Sequence, residues 1–150
     1  MQPVFPLLCI VALALFLRIW GITFGLPGID HGDESEVVNH AVRFGGGDLN
    51  PHRFQYGSLF QYFLFVLYCI YFMAGYATGV FESVHRFAVR FVQDPTVFYL
   101  IARSCSALLG AATAAVVYSI GKQIQGRAIG LAAALFLACS YEHVMHSHYC

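Results

Sequence analysis

Residues 4–26 read VFPLLCIVALALFLRIWGITFGL, and Arg18 is the single charge among them. About 20 apolar residues suffice to cross ~30 Å of hydrocarbon, so the run is long enough to be a membrane span. A cleaved signal peptide would instead begin with basic residues and end at a small-residue cleavage site. This chain starts Met1-Gln2-Pro3, carries Arg18 inside the run, and has no Ala-x-Ala after it. The stretch is therefore expected to be an uncleaved transmembrane helix, stopped by Pro27-Gly28. Arg18 lies near its far end, where it either snorkels to the interface or faces protein.

The remainder of the chain has the same character. Of 150 residues, 59% are hydrophobic and 11% charged, against about 25% charged in a soluble domain. Mean hydropathy is +0.66. These values exclude a disordered chain, a basic nucleic-acid binder and an ordinary soluble domain. Eight basic and eight acidic residues cancel, so no bulk charge attracts a polyanion. Further apolar runs cover 58–80, 96–120 and 128–142. The second is rich in Phe and Tyr, suited to a lipid-facing belt or to the wall of a polyprenyl chain. The third carries many small residues, which let helices approach closely in lipid. The cysteines show no paired spacing and read as small buried hydrophobes. The expected fold is all-α, a polytopic membrane protein.

Between the first two runs lies a polar loop, 27–57, that holds five of the eight acids: Asp30, Asp33, Glu34, Glu36 and Asp48. Within it, Asp33 to Phe44 has the periodicity of a short amphipathic helix, with Val37, Val38, Ala41 and Val42 on one face. Such a helix beside a span lies along the interface. Val84, Phe87, Ala88 and Phe91 suggest a second one, ended by Asp94-Pro95. The basic, acid-free hinge 121–127 belongs inside and the acidic loop outside. Residues 58–96 then leave and return to the outer side as a re-entrant or tilted hairpin, which we favour; the alternative is four plain spans, with 81–96 inside and 121–127 outside, which Arg86 and Arg90 support.

Asp33 and Glu34 are the strongest candidates for chemistry. Adjacent carboxylates at a helix start point in different directions, so one can accept a proton while the other orients a substrate or binds a metal. The bland alternative is a capping box, with Asp33 as N-cap and Glu36 completing it. Arg103 is the next candidate. A guanidinium in an apolar run needs a partner, either a lipid-linked phosphate or a group that merely satisfies it. His146-Ser147-His148 has no third ligand in view, and two histidines at that spacing diverge on a helix. A satisfied polar helix end is the simpler account, for Glu142 and His143 as well.

The order of these features is familiar. The Asp-Glu pair is followed by Leu49-Asn50-Pro51-x-x-Phe54-x-Tyr56-Gly57-Ser58-Leu59, then Ala102-Arg103-Ser104-x-Ser106-Ala107-Leu108-Leu109-Gly110. Next come Val117-Tyr118-x-Ile120-Gly121-Lys122, Gly126-Arg127-x-x-Gly130-Leu131-x-Ala133-Ala134 and His143-x-x-His146-Ser147-His148. Over nearly its whole length the chain resembles the N-terminal part of the dolichyl-phosphate-mannose protein mannosyltransferases. Their bacterial relatives, including the aminoarabinose transferases of lipid A, share the pattern, and all belong to the GT-C superfamily. The resemblance implies one transmembrane glycosyltransferase domain, of which residues 1–150 are the N-terminal part. It implies transfer of a sugar, with inversion, from a polyprenyl-phosphate donor to a protein, lipid or glycan hydroxyl on the outer or lumenal face. Asp33 and Glu34 then lie at the active centre, Asp33 as base or acceptor-binding group. Arg103 and His148 bind substrate, Arg103 near the donor phosphate. No cofactor is required by the pattern, and a divalent metal is compatible with it. The partners implied are the lipid-linked donor, the acceptor and the bilayer, with no nucleic acid, in a bacterial or archaeal cell membrane rather than the endoplasmic reticulum. Family members run to several hundred residues, with a further acidic residue after the histidine-bearing segment and often proline where Tyr141-Glu142 stands. The chain is accordingly expected to be a piece of such an enzyme, inactive alone. A transporter segment and a non-catalytic membrane subunit are the rival readings.

Overall fold

The computed structural model describes residues 4–28 and 32–149. They form seven α-helices: α1 Phe5–Ile19, α2 Gly32–Arg43, α3 Ser58–Ala77, α4 Val84–Gln93, α5 Thr96–Gln125, α6 Arg127–Cys139 and α7 Tyr141–His146. A 3-10 turn, Phe44–Gly46, extends α2, and the described residues contain no strand. Two helices, α3 and α5, are long and apolar enough to cross a membrane. Their 20 and 30 residues extend about 30 and 45 Å. Helices α1 and α6 are apolar but shorter, with 15 and 13 residues, or about 22 and 20 Å.

Two expected spans are thus revised. The run 4–26 is not one helix. It ends at Ile19 and continues as turns to Gly28. Trp20 leaves the helical region with an extended ψ of 114°, and Gly21 follows at φ +81°, a left-handed conformation that a residue with no Cβ adopts freely. The run 128–142 breaks at Ser140, whose extended ψ of 119° separates α6 from α7. The expected hinge 121–127 is narrower than its composition suggests, because α5 stays helical to Gln125 and only Gly126, with φ +88°, leaves the helix.

The chain divides into two compact units, Met1–Phe24 with Arg103–Cys150, and Gly25–Ala102. In the first, α1 packs on α6 through small residues. Ala14, Ala111, Ala114 and Ala138 form its buried cluster, flanked by Ile10 and Leu15. Side chains this small let backbones approach, which replaces the absent hydrophobic drive between helices in lipid. At the α5–α6 corner, a Cβ on Gly130 would stand 2.6 Å from the Tyr118 carbonyl oxygen and 2.8 Å from the Lys122 nitrogen.

In the second unit α2 packs on α3, burying Val37, Val38 and Ala41 as the periodicity requires. Aromatic rings fill the rest. Phe98, at the start of α5, receives Phe87 and Phe91 of α4 at 5.0 and 4.9 Å and Tyr68 of α3 at 5.3 Å. The Tyr68 hydroxyl donates to the Phe98 carbonyl at 3.1 Å. Ser83 caps α4 by accepting from the Arg86 N–H. Asp94 closes α4 and accepts from the Thr96 N–H at 3.2 Å, which holds the first turn of α5.

Candidate functional site

Asp33 and Glu34 open α2 in the Gly25–Ala102 unit. The helix begins at Gly32, so Asp33 sits inside its first turn and is not the N-cap expected from spacing. Glu36 does not close a capping box either, because its carboxylate accepts from Arg53 at 2.9 Å. Asp33 is exposed and Glu34 fully buried, so the pair does diverge. The Asp33 carboxylate lies near enough to the Tyr56 hydroxyl that its acceptor oxygens and charge raise the Tyr56 pKa above its ordinary value. Spacing alone did not signal that Tyr56 is a neighbour of this carboxylate. Asp30 lies outside the described residues.

Arg103 and His148 belong to the other unit, and there they meet. Arg103 is 2% exposed. Its Nη1 donates to the carbonyls of Ile22 and Phe24, both at 2.8 Å. These carbonyls are freed by the early end of α1, so the arginine satisfies the turns that follow that helix. The guanidinium also stands 5.6 Å from the centre of the Tyr149 ring, within cation–π range. Arg103, His148, Tyr149, Trp20, Gly21 and Phe24 line a cavity of about 250 Å³. The His148 Nε2 atom is buried and finds no hydrogen-bond partner among the described residues. A cationic fork, an unsatisfied imidazole nitrogen and three aromatic side chains suit a small anion carrying an apolar substituent.

Arg18 is the residue whose role was least legible. It faces protein and is fully buried. Nη1 donates to the Ala14 and Ala138 carbonyls at 2.8 and 3.3 Å, and Nη2 meets His143 Nδ1 at 2.6 Å. Ser147 Oγ donates to the His143 carbonyl at 2.6 Å. Gly110 leaves room for both, since a Cβ there would come within 2.4 Å of Ser147 Oγ and 2.9 Å of Arg18 Nε. His143 is therefore a structural partner of an arginine 125 residues away. His146 is exposed beside Glu142 at 3.6 Å, in surroundings different from those of His148. No group of three or more His, Cys, Asp or Glu side chains that could hold a metal ion occurs among the described residues.

No family model matches the chain, and neither a curated protein nor a solved structure does. The assignment of chemistry therefore rests on the residues themselves. Arg103 and His148 share one cavity, while Asp33 and Glu34 stand on a separate unit with Tyr56 and Arg53 nearby.

Proposed function

We propose that the chain is part of a multi-pass membrane glycosyltransferase of GT-C type, in a bacterial or archaeal cell membrane. It moves a sugar from a polyprenyl-phosphate donor to an acceptor hydroxyl on the outer face, with inversion. The observation that supports this is the cavity where buried Arg103 and the unpartnered Nε2 of His148 stand between Trp20 and Tyr149. Arginine matches a phosphate's oxygens in a planar, charge-assisted geometry, and the aromatic walls suit the first isoprene of the lipid.

In this mechanism the acceptor oxygen attacks the anomeric carbon as the bond from that carbon to the phosphate oxygen breaks. The leaving phosphate takes the electron pair and Arg103 offsets its charge. The family resemblance makes Asp33, exposed at the start of α2, the group that takes the acceptor's proton. A transporter segment is disfavoured because Arg18, within the first apolar run, is buried against the Ala14 and Ala138 carbonyls and His143 and so does not line a path.

Trp20 is the sole tryptophan and a wall of the cavity, which makes its fluorescence the direct test. A short-chain polyprenyl phosphate is expected to change the emission saturably in nanodiscs, and the matching polyprenol is not. In the complete protein, D33N with E34Q is expected to keep that response and lose transfer of labelled sugar. Equal responses to the alcohol and its phosphate, or transfer at the parent rate by the double variant, would sink the proposal.

A further inference from the structure

The Gly25–Ala102 unit contains two adjoining cavities that the sugar-transfer reading does not use. The larger, about 480 Å³, is walled by Phe65, Tyr68 and Phe72 of α3 and by Val84 and Phe87 of α4. The smaller, about 240 Å³, is polar and bounded by His40, Asp48, Asn50 and His52. Arg43 and Gly46 line both. An apolar chamber thus opens beside a polar one, with a guanidinium at their junction.

The charges around that junction favour an anion. Arg43 is exposed and makes no hydrogen bond or ion pair with a described residue. Asp48 lies close enough to feel its charge, but the Asp48 carboxylate is already taken by His52 at 2.7 Å and by the Asn50 N–H at 2.9 Å. His40 turns its Nδ1 to the Glu36 carbonyl at 2.5 Å. His85, on α4, borders the apolar chamber. Among the described residues Arg43 is thus the one arginine or lysine lining either chamber, while the Asp48 carboxylate is engaged by His52 and that of Glu36, 3.5 Å from His40, is engaged by Arg53.

We infer that the two chambers form a binding site for an anionic phospholipid of the bilayer, with one fatty-acyl chain among the α3 and α4 aromatics and the phosphate head group beside Arg43. The size of the apolar chamber selects this occupant, since about 480 Å³ is roughly the volume of one acyl chain and lies within the range of ordinary ligand pockets, about 300–1,000 Å³. One wall is α3, a helix long and apolar enough to cross the membrane, so an acyl chain reaches the chamber from the hydrocarbon itself. The inference needs only membrane residence and stands apart from the donor cavity at Trp20.

Cys69 lines the apolar chamber and is an exposed free thiol, which supplies the probe. In a variant with Cys69 as its only cysteine, the rate of alkylation by N-ethylmaleimide is followed in nanodiscs. Phosphatidylcholine alone is compared with phosphatidylcholine containing phosphatidylglycerol. Phosphatidylglycerol is expected to slow the reaction. R43Q is expected to raise the half-protecting lipid fraction about fivefold, the loss of one charge-assisted contact. A88F, which narrows the chamber, is expected to abolish the lipid dependence. A second variant, with Cys139 as its only cysteine, should react alike in both lipids. Equal Cys69 rates in the two lipids, unaltered protection in R43Q, or protection by a polyprenyl phosphate alone would overturn the inference. None of these outcomes bears on Trp20 fluorescence, so this site and the donor cavity can fail independently.

Discussion

Arg18 and His143 illustrate how one contact sets a protonation state. A guanidinium only donates, so the imidazole Nδ1 at 2.6 Å must accept, and its proton resides on Nε2. Burial, and then the charge of Arg18, hold the His143 pKa below its ordinary value. The unfolded chain therefore binds more protons in mild acid than the folded one does, and folding stability falls as pH falls. The contribution is intact above the ordinary imidazole range and is expected to be lost between about pH 7 and pH 5. H143Q should flatten this part of the profile, because an amide oxygen accepts from Arg18 without titrating. Thermal midpoints across that range check it, and an unchanged slope in H143Q would refute the assignment. Asp48 and Asp94 act lower on the pH scale. Their carboxyls are held below the ordinary value chiefly by hydrogen bonds from the His52 and Thr96 side chains. Their contribution is lost only as pH falls through the carboxylate range.

Helix contacts in the first unit depend on the absence of side chains as much as on their presence. Gly130 packs against backbone atoms of α5, the Tyr118 carbonyl and the Lys122 nitrogen, and neither can rotate away as a side chain would. G130A is expected to destabilise the corner by about 1–3 kcal/mol, the usual cost of overpacking. Gly45 is the matched control, since a Cβ there meets nothing within 4 Å and its φ is not positive. G45A should be neutral or slightly stabilising. Thermal unfolding in detergent compares the two, and equal midpoints would show that the corner relaxes freely. The early end of α1 has a related cause. Once Gly21 turns the chain, the carbonyls of Ile22 and Phe24 need donors, and Arg103 supplies both.

Each unit has its own interior, one built of alanine and glycine and the other of aromatic rings. Outside those interiors, large apolar side chains remain exposed along the long helices, among them Phe63, Val66, Ile70 and Met73 of α3 and Leu108, Val116 and Ile120 of α5. So much apolar surface on helices of spanning length is compatible with water only at great cost, at roughly 25 cal/mol for each Å². The chain is expected to remain in the membrane pellet after alkaline carbonate extraction. Release into the supernatant would remove the basis for spans at α3 and α5, and with it the proposed lipid site.

The amino-acid pattern by itself determined what is local. The all-helical class, α2 beside the acidic pair, α4 on its aromatic stripe and the long apolar helices α3 and α5 follow from hydrophobic period and run length, which neighbours in sequence carry. The tertiary structure alone decided the pairings. Arg18 with His143, and Arg103 with the Ile22 and Phe24 carbonyls, are separated by long stretches of chain, and no periodicity encodes which buried cation meets which acceptor. It also decided where helices stop. A run of apolar residues reads as continuous until a distant donor such as Arg103 makes it affordable to leave carbonyls outside the helix.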